Sequence, residues 1–366
     1  MDASLLLTNV PATKPPEFSI SDGVNLISIN QLVDINTPWE KYVVIGAGKT
    51  GLDALLYLID HNVNPDRIIW IVSNDCWYVN RDLLGDGLIH IGNVLPLCIN
   101  AVLQSEDVTD VYRKLEDINV VMRVDKNVFP SRMRIATVSS EEMKKIRLVK
   151  TIVRNGRIDK IEKDKIIFKT RSNLTGPIIY STNVQYLYID CSAAGTGFSP
   201  AKERIWDGSL IHLQILGSFH PTGAVGASAS AALIAAIELR YEHRLVEKLT
   251  FYEYFNLIPE IISILFLCRF QNDDDKKNSI CIPVDAPHDP VQWFETSYKA
   301  NLNLEKLVYA LGIRWMRTNR LSLMSHIGIV PCSKILFAML WNKEKLNEKM
   351  RLFGTQREIY GELATL

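Results

Sequence analysis

Residues 41–59, KYVVIGAGKTGLDALLYLI, decide how the rest of the chain is read. The stretch opens on an apolar run, Tyr42 to Ile45, and breaks at Gly46-Ala47-Gly48. Leu52, Leu55, Leu56 and Ile59 then fall on one face at helical spacing. Strand, glycine turn and helix in that order are the setting in which G-x-G-x-x-G points to a dinucleotide. Gly46 is expected to make the tight turn, Gly48 to let a pyrophosphate approach the backbone, and Gly51 to let the helix pack on the strand. Ala47 completes the turn. The first-turn N–H groups near Lys49 and Thr50 then face the phosphates at the positive end of the helix dipole.

Gly48-Lys49-Thr50 also invites a P-loop reading, but that motif needs a glycine five residues earlier, where Val43 stands. The competing reading is a glycine-rich turn in an α/β protein with no ligand. Against it, a second apolar strand, RIIWIV at 67–72, follows the helix, as a parallel βαβ unit requires. That strand ends in Ser73-Asn74-Asp75, a little over twenty residues beyond Gly51, where a ribose-binding acid or a base for a 2′-phosphate belongs. Asp75 is a candidate acid, and Ser73 and Asn74 are equally placed to bond a ribose or a phosphate, so NAD and NADP both stay open.

The chain has 366 residues, enough for two domains or one large one, and 41 basic residues balance 41 acidic ones. With no basic stripe, nucleic acid is not an expected partner. The longest apolar stretches, 231–237 and 261–268, are too short to span a bilayer, so no membrane partner is expected either. Six scattered cysteines form no C-x-x-C pair, which argues against a zinc ribbon or a disulfide scaffold and for a reduced, cytoplasmic compartment. No metal site is expected.

Residues 3–9 read as a short strand before a proline-rich exit, and 25–35 as an edge strand with a turn. Residues 80–104 read as loop, 105–115 as helix and 119–124 as strand. Ser139 to Glu142 spells a capping box. Residues 146–170 read as a hairpin or three-stranded meander, with Asn155-Gly156 the stronger turn signal and Lys163-Asp164 the other. YLYID at 186–190 is the next strand, running into Cys191-Ser192-Ala193-Ala194-Gly195, small residues that let a cofactor or a second backbone come close. Residues 209–216 read as a strand, 217–223 as a turn, 227–243 as a helix and 290–366 as largely helical, with Trp293, Trp315 and Trp341 in the core. His220, in the glycine-flanked turn, is the candidate for proton transfer, against the plainer reading of a loop histidine. Cys191 reads as a small packing residue rather than a redox centre.

Several of these segments together resemble FAD/NAD(P)-dependent oxidoreductases with two dinucleotide-binding domains, related to flavin monooxygenases and pyridine-nucleotide reductases. The likeness rests on VPATKPPEF (10–18), YVVIGAGKTGLDA (42–54), NPDRIIWIVSNDCWYVNR (64–81), RIATVSSEEM (134–143), VRNGRI (153–158), YIDCSAAG (188–195), SAALIAAIE (230–238) and KKNSICIPV (276–284). The resemblance implies an α/β chain with a Rossmann-type NAD(P)-binding domain carrying a β-meander at 41–200. It also implies remnants of an FAD-type domain at 1–40 and 201–300, and a helical region at 301–366. NAD(P)H would deliver hydride to a flavin lying near Cys191 to Gly195, for a reductase or a monooxygenase acting on a small-molecule substrate. Two departures stand out. No G-x-G-x-x-G precedes residue 10, so the segment that would hold the FAD pyrophosphate is missing: the chain is expected to be a truncated piece of a flavoprotein, or one whose FAD domain is completed by a partner chain or homo-oligomer. Asn74 stands where the related pattern has an arginine suited to a 2′-phosphate. The alternative is a catalytically silent NAD(P)-binding scaffold.

Overall fold

Tyr42 and Val44 alternate with Val43 and Ile45, yet all four side chains are buried, so the strand they form is covered on both faces. That pattern belongs to a parallel sheet sandwiched between layers. The computed structural model describes residues 10–84, 88–169 and 183–193, with shorter stretches at 178–179, 204–214, 218–219, 223–224, 234–235, 289–299 and 342–356 and a few single residues. In chain order the strands of interest are β1 (Ser19–Ile20), β2 (Asn25–Ser28), β3 (Lys41–Ile45), β4 (Ile68–Ile71), β5 (Cys76–Asn80) and β6 (Val121–Met122). They continue with β7 (Arg132–Val138), β8 (Thr151–Val153), β9 (Ile158–Ile161), β10 (Lys165–Phe168), β11 (Ile178–Ile179) and β12 (Tyr186–Asp190). The helices are α1 (Lys49–Asp60), α2 (Leu88–Gln104), α3 (Val108–Asp117), α4 (Ser140–Ile146) and α5 (Lys343–Phe353).

Five strands form one parallel sheet in the order β2-β12-β3-β4-β8. From β3 the chain crosses through α1 to β4 on one side, whereas β12 and β2 lie on the other, so the strand order reverses at β3. The two faces are covered differently. Leu52, Leu55 and Leu58 of α1, with Met143 and Ile146 of α4, pack on the face carrying Tyr42, Val44 and Trp70. Ile158, Ile161 and Ile166 of a second sheet, β1-β9-β10-β11, pack on the face carrying Val43, Ile45, Ile69 and Ile71. The molecule is thus α/β, with the carboxyl ends of β2, β12, β3, β4 and β8 forming one edge.

The chain divides in the main into two compact units, Thr8–Asp82 with Val121–Gly195, and Leu83–Val120 with Thr196–Tyr360. Residues 83–120 group with the later part of the chain. Residues 88–104, expected as loop, form α2. Val94, Leu95, Cys98, Ile99, Ala101 and Val102 are buried at helical spacing, and burying that stripe outweighs the cost of Pro96 within the helix. In the same unit Phe294 meets Phe353 of α5 edge-on, with ring centroids 5.2 Å apart, and Trp293 is buried as expected.

Other elements sit close to where the sequence put them. Ser139 caps α4: its Oγ accepts the Glu142 N–H at 3.1 Å, and the Ser139 N–H donates to Glu142 Oε2 at 2.7 Å. The meander begins one strand later than the turn signals suggest. Asn155-Gly156, with Gly156 at φ +94°, passes the chain from one sheet to the other rather than closing a hairpin. β8 joins the parallel sheet, and the antiparallel pair turns at Lys163-Asp164. Of the strand expected over 209–216, the described residues form Leu210–Ile211, paired with Trp206–Asp207, and 215–216 lie outside the described residues. The strand expected over 3–9 and most of the helix expected over 227–243 lie outside the described residues, as do Trp315 and Trp341. Among the described residues no helix is long and apolar enough to cross a membrane.

Candidate functional site

The turn after β3 is held from both sides. The Gly46 N–H donates to the Ile71 carbonyl at 3.0 Å, and the Cys191 N–H donates to the Ile45 carbonyl at 2.9 Å. Gly46 has φ +117°, and a Cβ there would lie 2.9 Å from the Cys191 carbonyl oxygen, so both conformation and space require glycine. Gly51, in the first turn of α1, would place a Cβ 2.1 Å from the Gly46 carbonyl oxygen, so its bare backbone is what lets the helix sit on the turn. Gly48 is different. It is the N-cap of α1, and a Cβ there would meet nothing within 4 Å.

Helix α1 begins at Lys49 with no side-chain cap and no acidic residue in its first turn. The N–H groups of a helix's first turn lack intrahelical acceptors and carry partial positive charge, which suits an anion. Lys49 itself ion-pairs with Asp53 one turn on.

Two aromatic side chains fix the turn's carbonyls. Trp70 Nε1 donates to the Gly46 oxygen at 2.8 Å, and the Tyr78 hydroxyl donates to the Ala47 oxygen at 2.8 Å. Both side chains are almost wholly buried. Burial pushes the Tyr78 phenol well above its ordinary range, with the nearby Cys76 and Asp75 adding to the effect, so it stays a donor. These residues were not singled out from the sequence. Trp70 and Tyr78 look there like ordinary strand aromatics, and the one available signal was that each carries a polar tip needing a partner when buried.

Ser73, Asn74 and Asp75 form the bend between β4 and β5, on the same edge as the turn. Asp75 pairs with Arg154. Cys191 and Ser192 stand against the turn, since a Cβ on Gly46 would lie 3.4 Å from the Ser192 N–H nitrogen. The Cys191 side chain belongs to the core on the α1 face, and burial, with the charges of Asp190 and Asp53, pushes its thiol well up. Ala193 is described, whereas Ala194, Gly195 and His220 lie outside the described residues.

Beside Cys191, Asp190 is buried, and its Oδ1 accepts the Ser192 N–H at 2.9 Å and the Ser192 hydroxyl. Burial raises its carboxyl above the ordinary range, with the Ser192 hydrogen bonds opposing. A pocket of about 330 Å³ opens there, lined by Pro11, Pro16, Leu26, Ser28, Gln31 and Asp190 among others. It lies at the carboxyl ends of β2 and β12. Open parallel sheets take ligands at this edge, near the strand where the order reverses, which is β3, the neighbour of β12.

Two kinds of relative resemble the chain at 28% identity over 331 residues: a protein of Mycobacterium bovis and proteins of Mycobacterium tuberculosis, each known only as uncharacterized. The alignment covers 89% of this chain and 53% of the mycobacterial proteins, so the chain spans about half their length. No family model matches the chain, and no solved structure matches it significantly.

Proposed function

We propose that the chain binds a nicotinamide dinucleotide at a Rossmann-type site across Gly46–Gly51 and serves a flavin-dependent type of oxidoreductase. The observation that carries this is the unequal space at the three glycines. Gly46 and Gly51 are filled by the protein's own backbone, while Gly48 opens outward beside an uncapped helix start. A structural turn needs the first two, while the bare backbone at the third, where glycine also serves as an N-cap, leaves room for a ligand to approach. In this reading Gly48 and the first-turn amides at Lys49 and Thr50 hold the pyrophosphate. Ser73 to Asp75 meet the adenosine ribose, and the nicotinamide half extends across β12 toward the pocket beside Asp190. Trp70 and Tyr78 turn the carbonyls of the loop inward, leaving its N–H side to the phosphates.

When bound, NAD(P)H supplies a hydride for a flavin, and a reductase or monooxygenase activity on a small molecule follows from which acceptor comes next. FAD has no comparable cradle among the described residues. Cys191, which the resemblance places near the flavin ring, packs into the core instead. The flavin in this proposal is held by groups outside the described residues or by a partner chain.

A catalytically silent NAD(P)-binding scaffold is the second reading. It is favoured by the groups bordering the turn: Tyr78, Asp190 and Cys191 are all buried, and burial biases each toward its protonated form. The visible spectrum of the protein after incubation with FAD and desalting separates the two. A retained flavin band bleached by NADH or NADPH supports the oxidoreductase. A colourless protein that still binds NAD(P)H supports the scaffold, and one that binds no nucleotide overturns both.

A further inference from the structure

At the carboxyl end of β4 stands a charge arrangement that the glycine turn alone does not require. Asp75 accepts from Arg154 at both carboxylate oxygens, from Nε at 2.9 Å and from Nη2 at 3.2 Å. The same guanidinium reaches Asp125 Oδ2 at 3.4 Å. Arg154 follows β8 directly, and the Val72 N–H donating to the Val153 carbonyl at 2.8 Å joins the two strand ends. The Asp75 carbonyl in turn accepts the Arg132 N–H at 3.1 Å. Asp75 is therefore fixed at both its main chain and its side chain. A two-pronged arginine–carboxylate pair is directional, and it leaves about two of the carboxylate's four acceptor positions for other donors.

In a glycine-turn site the end of the second strand meets the adenosine ribose. A carboxylate there accepts from the 2′- and 3′-hydroxyls, and it repels a phosphate esterified at the 2′ position. Arg154 is shared between Asp75 and Asp125, so its guanidinium is already engaged by two carboxylates before any phosphate arrives. Turning the guanidinium toward a phosphate would uncover both acids beside it. We propose that Asp75, positioned by Arg154, makes this site selective for NAD(H) over NADP(H). The inference rests on the dinucleotide reading and adds which nucleotide is taken.

The test is calorimetric titration of the full chain with NADH and with NADPH at about 0.15 M ionic strength, where screening is already strong. NADH is expected to bind at least about tenfold tighter, since like charges in contact cost more than the roughly 1.4 kcal/mol that a factor of ten represents. Asp75→Asn keeps the shape and removes the charge, and it should narrow the gap mainly by improving NADPH. Arg154→Ala should weaken NADH binding while leaving NADPH the poorer ligand, because Asp75 keeps its charge and loses its support. Equal affinities in the unaltered chain, or a preference for NADPH lost in Arg154→Ala or Arg132→Ala, would overturn the selectivity and leave dinucleotide binding standing. Binding of neither nucleotide would remove the dinucleotide reading itself. The ratio in the unaltered chain decides the matter even if a variant fails to fold.

Discussion

Trp70 Nε1 donates to the carbonyl oxygen of Gly46 at 2.8 Å, tying the second strand of the parallel sheet to the turn that ends the first. The same oxygen lies where a side chain on Gly51 would have to go. One atom thus sets both the direction of the turn and the distance of α1 from the sheet. Trp70→Phe and Tyr78→Phe each remove the donor from a half-buried carbonyl, and each should cost about 1 kcal/mol in urea unfolding. Both should also weaken NAD(P)H binding, because the loop's N–H groups lose their fixed orientation. Stability loss with unchanged nucleotide affinity would show that the carbonyls do not position the site.

The three glycines make a contrast that a single substitution series can read. Gly51→Ala drives a methyl group into the Gly46 oxygen and should destabilise by about 1–3 kcal/mol or more. Gly48→Ala meets open space at an N-cap position, so stability should stay within about 1 kcal/mol while NAD(P)H affinity falls. Thermal melts beside nucleotide titrations check both. Equal stability losses would contradict the division of roles.

Asp190 gives a pH signature. Its folded carboxyl is raised by burial, so it keeps its proton to higher pH than the unfolded chain, which releases it near 3.9. Its contribution to stability is therefore best in acid and declines as pH rises from about 3.9 through the folded value, then levels off. Asp190→Asn retains an oxygen to accept from Ser192 and removes the decline. Unfolding curves of the two proteins should converge in acid and separate toward neutral pH in favour of the variant. A gap that opens on acidification instead would refute the assignment.

Cys191 tests whether the thiol beside the turn has any chemistry. Its burial and raised pKa predict no reaction with an exposed-thiol reagent in the folded chain. Cys191→Ala should cost about 1 kcal/mol of packing and leave nucleotide affinity unchanged. Rapid labelling, or loss of nucleotide binding in the variant, would mark it as more than a packing residue.

Much of the parallel sheet was legible because its signals are local. Tyr42–Ile45 and Ile68–Ile71 are short apolar runs bounded by a glycine turn and a proline connector, and the Ser139–Glu142 capping box is written in four consecutive residues. Where local signals competed, the reading went astray. Asn155-Gly156 is a strong turn pair, but which strands it separates depends on sheets assembled from residues far apart in the chain, as the pairing of Asn25 with Leu187 illustrates. Pro96 and Gly92 disguised α2, whose stability comes from the buried stripe rather than from helix propensity.

By itself the sequence determined the glycine turn, because φ +117° at Gly46 and the bare backbone at Gly51 can be met only by the residue type written there. It also determined the order of strand, helix and strand around that turn, which follows from periodicity. Only the tertiary structure decided what touches the turn: Trp70, Tyr78 and Cys191 at its back, and Arg154 gripping Asp75 from 79 positions away in the chain. The physical reason is that backbone conformation is fixed by neighbours in sequence, whereas a buried donor finds its acceptor only once the strands have aligned.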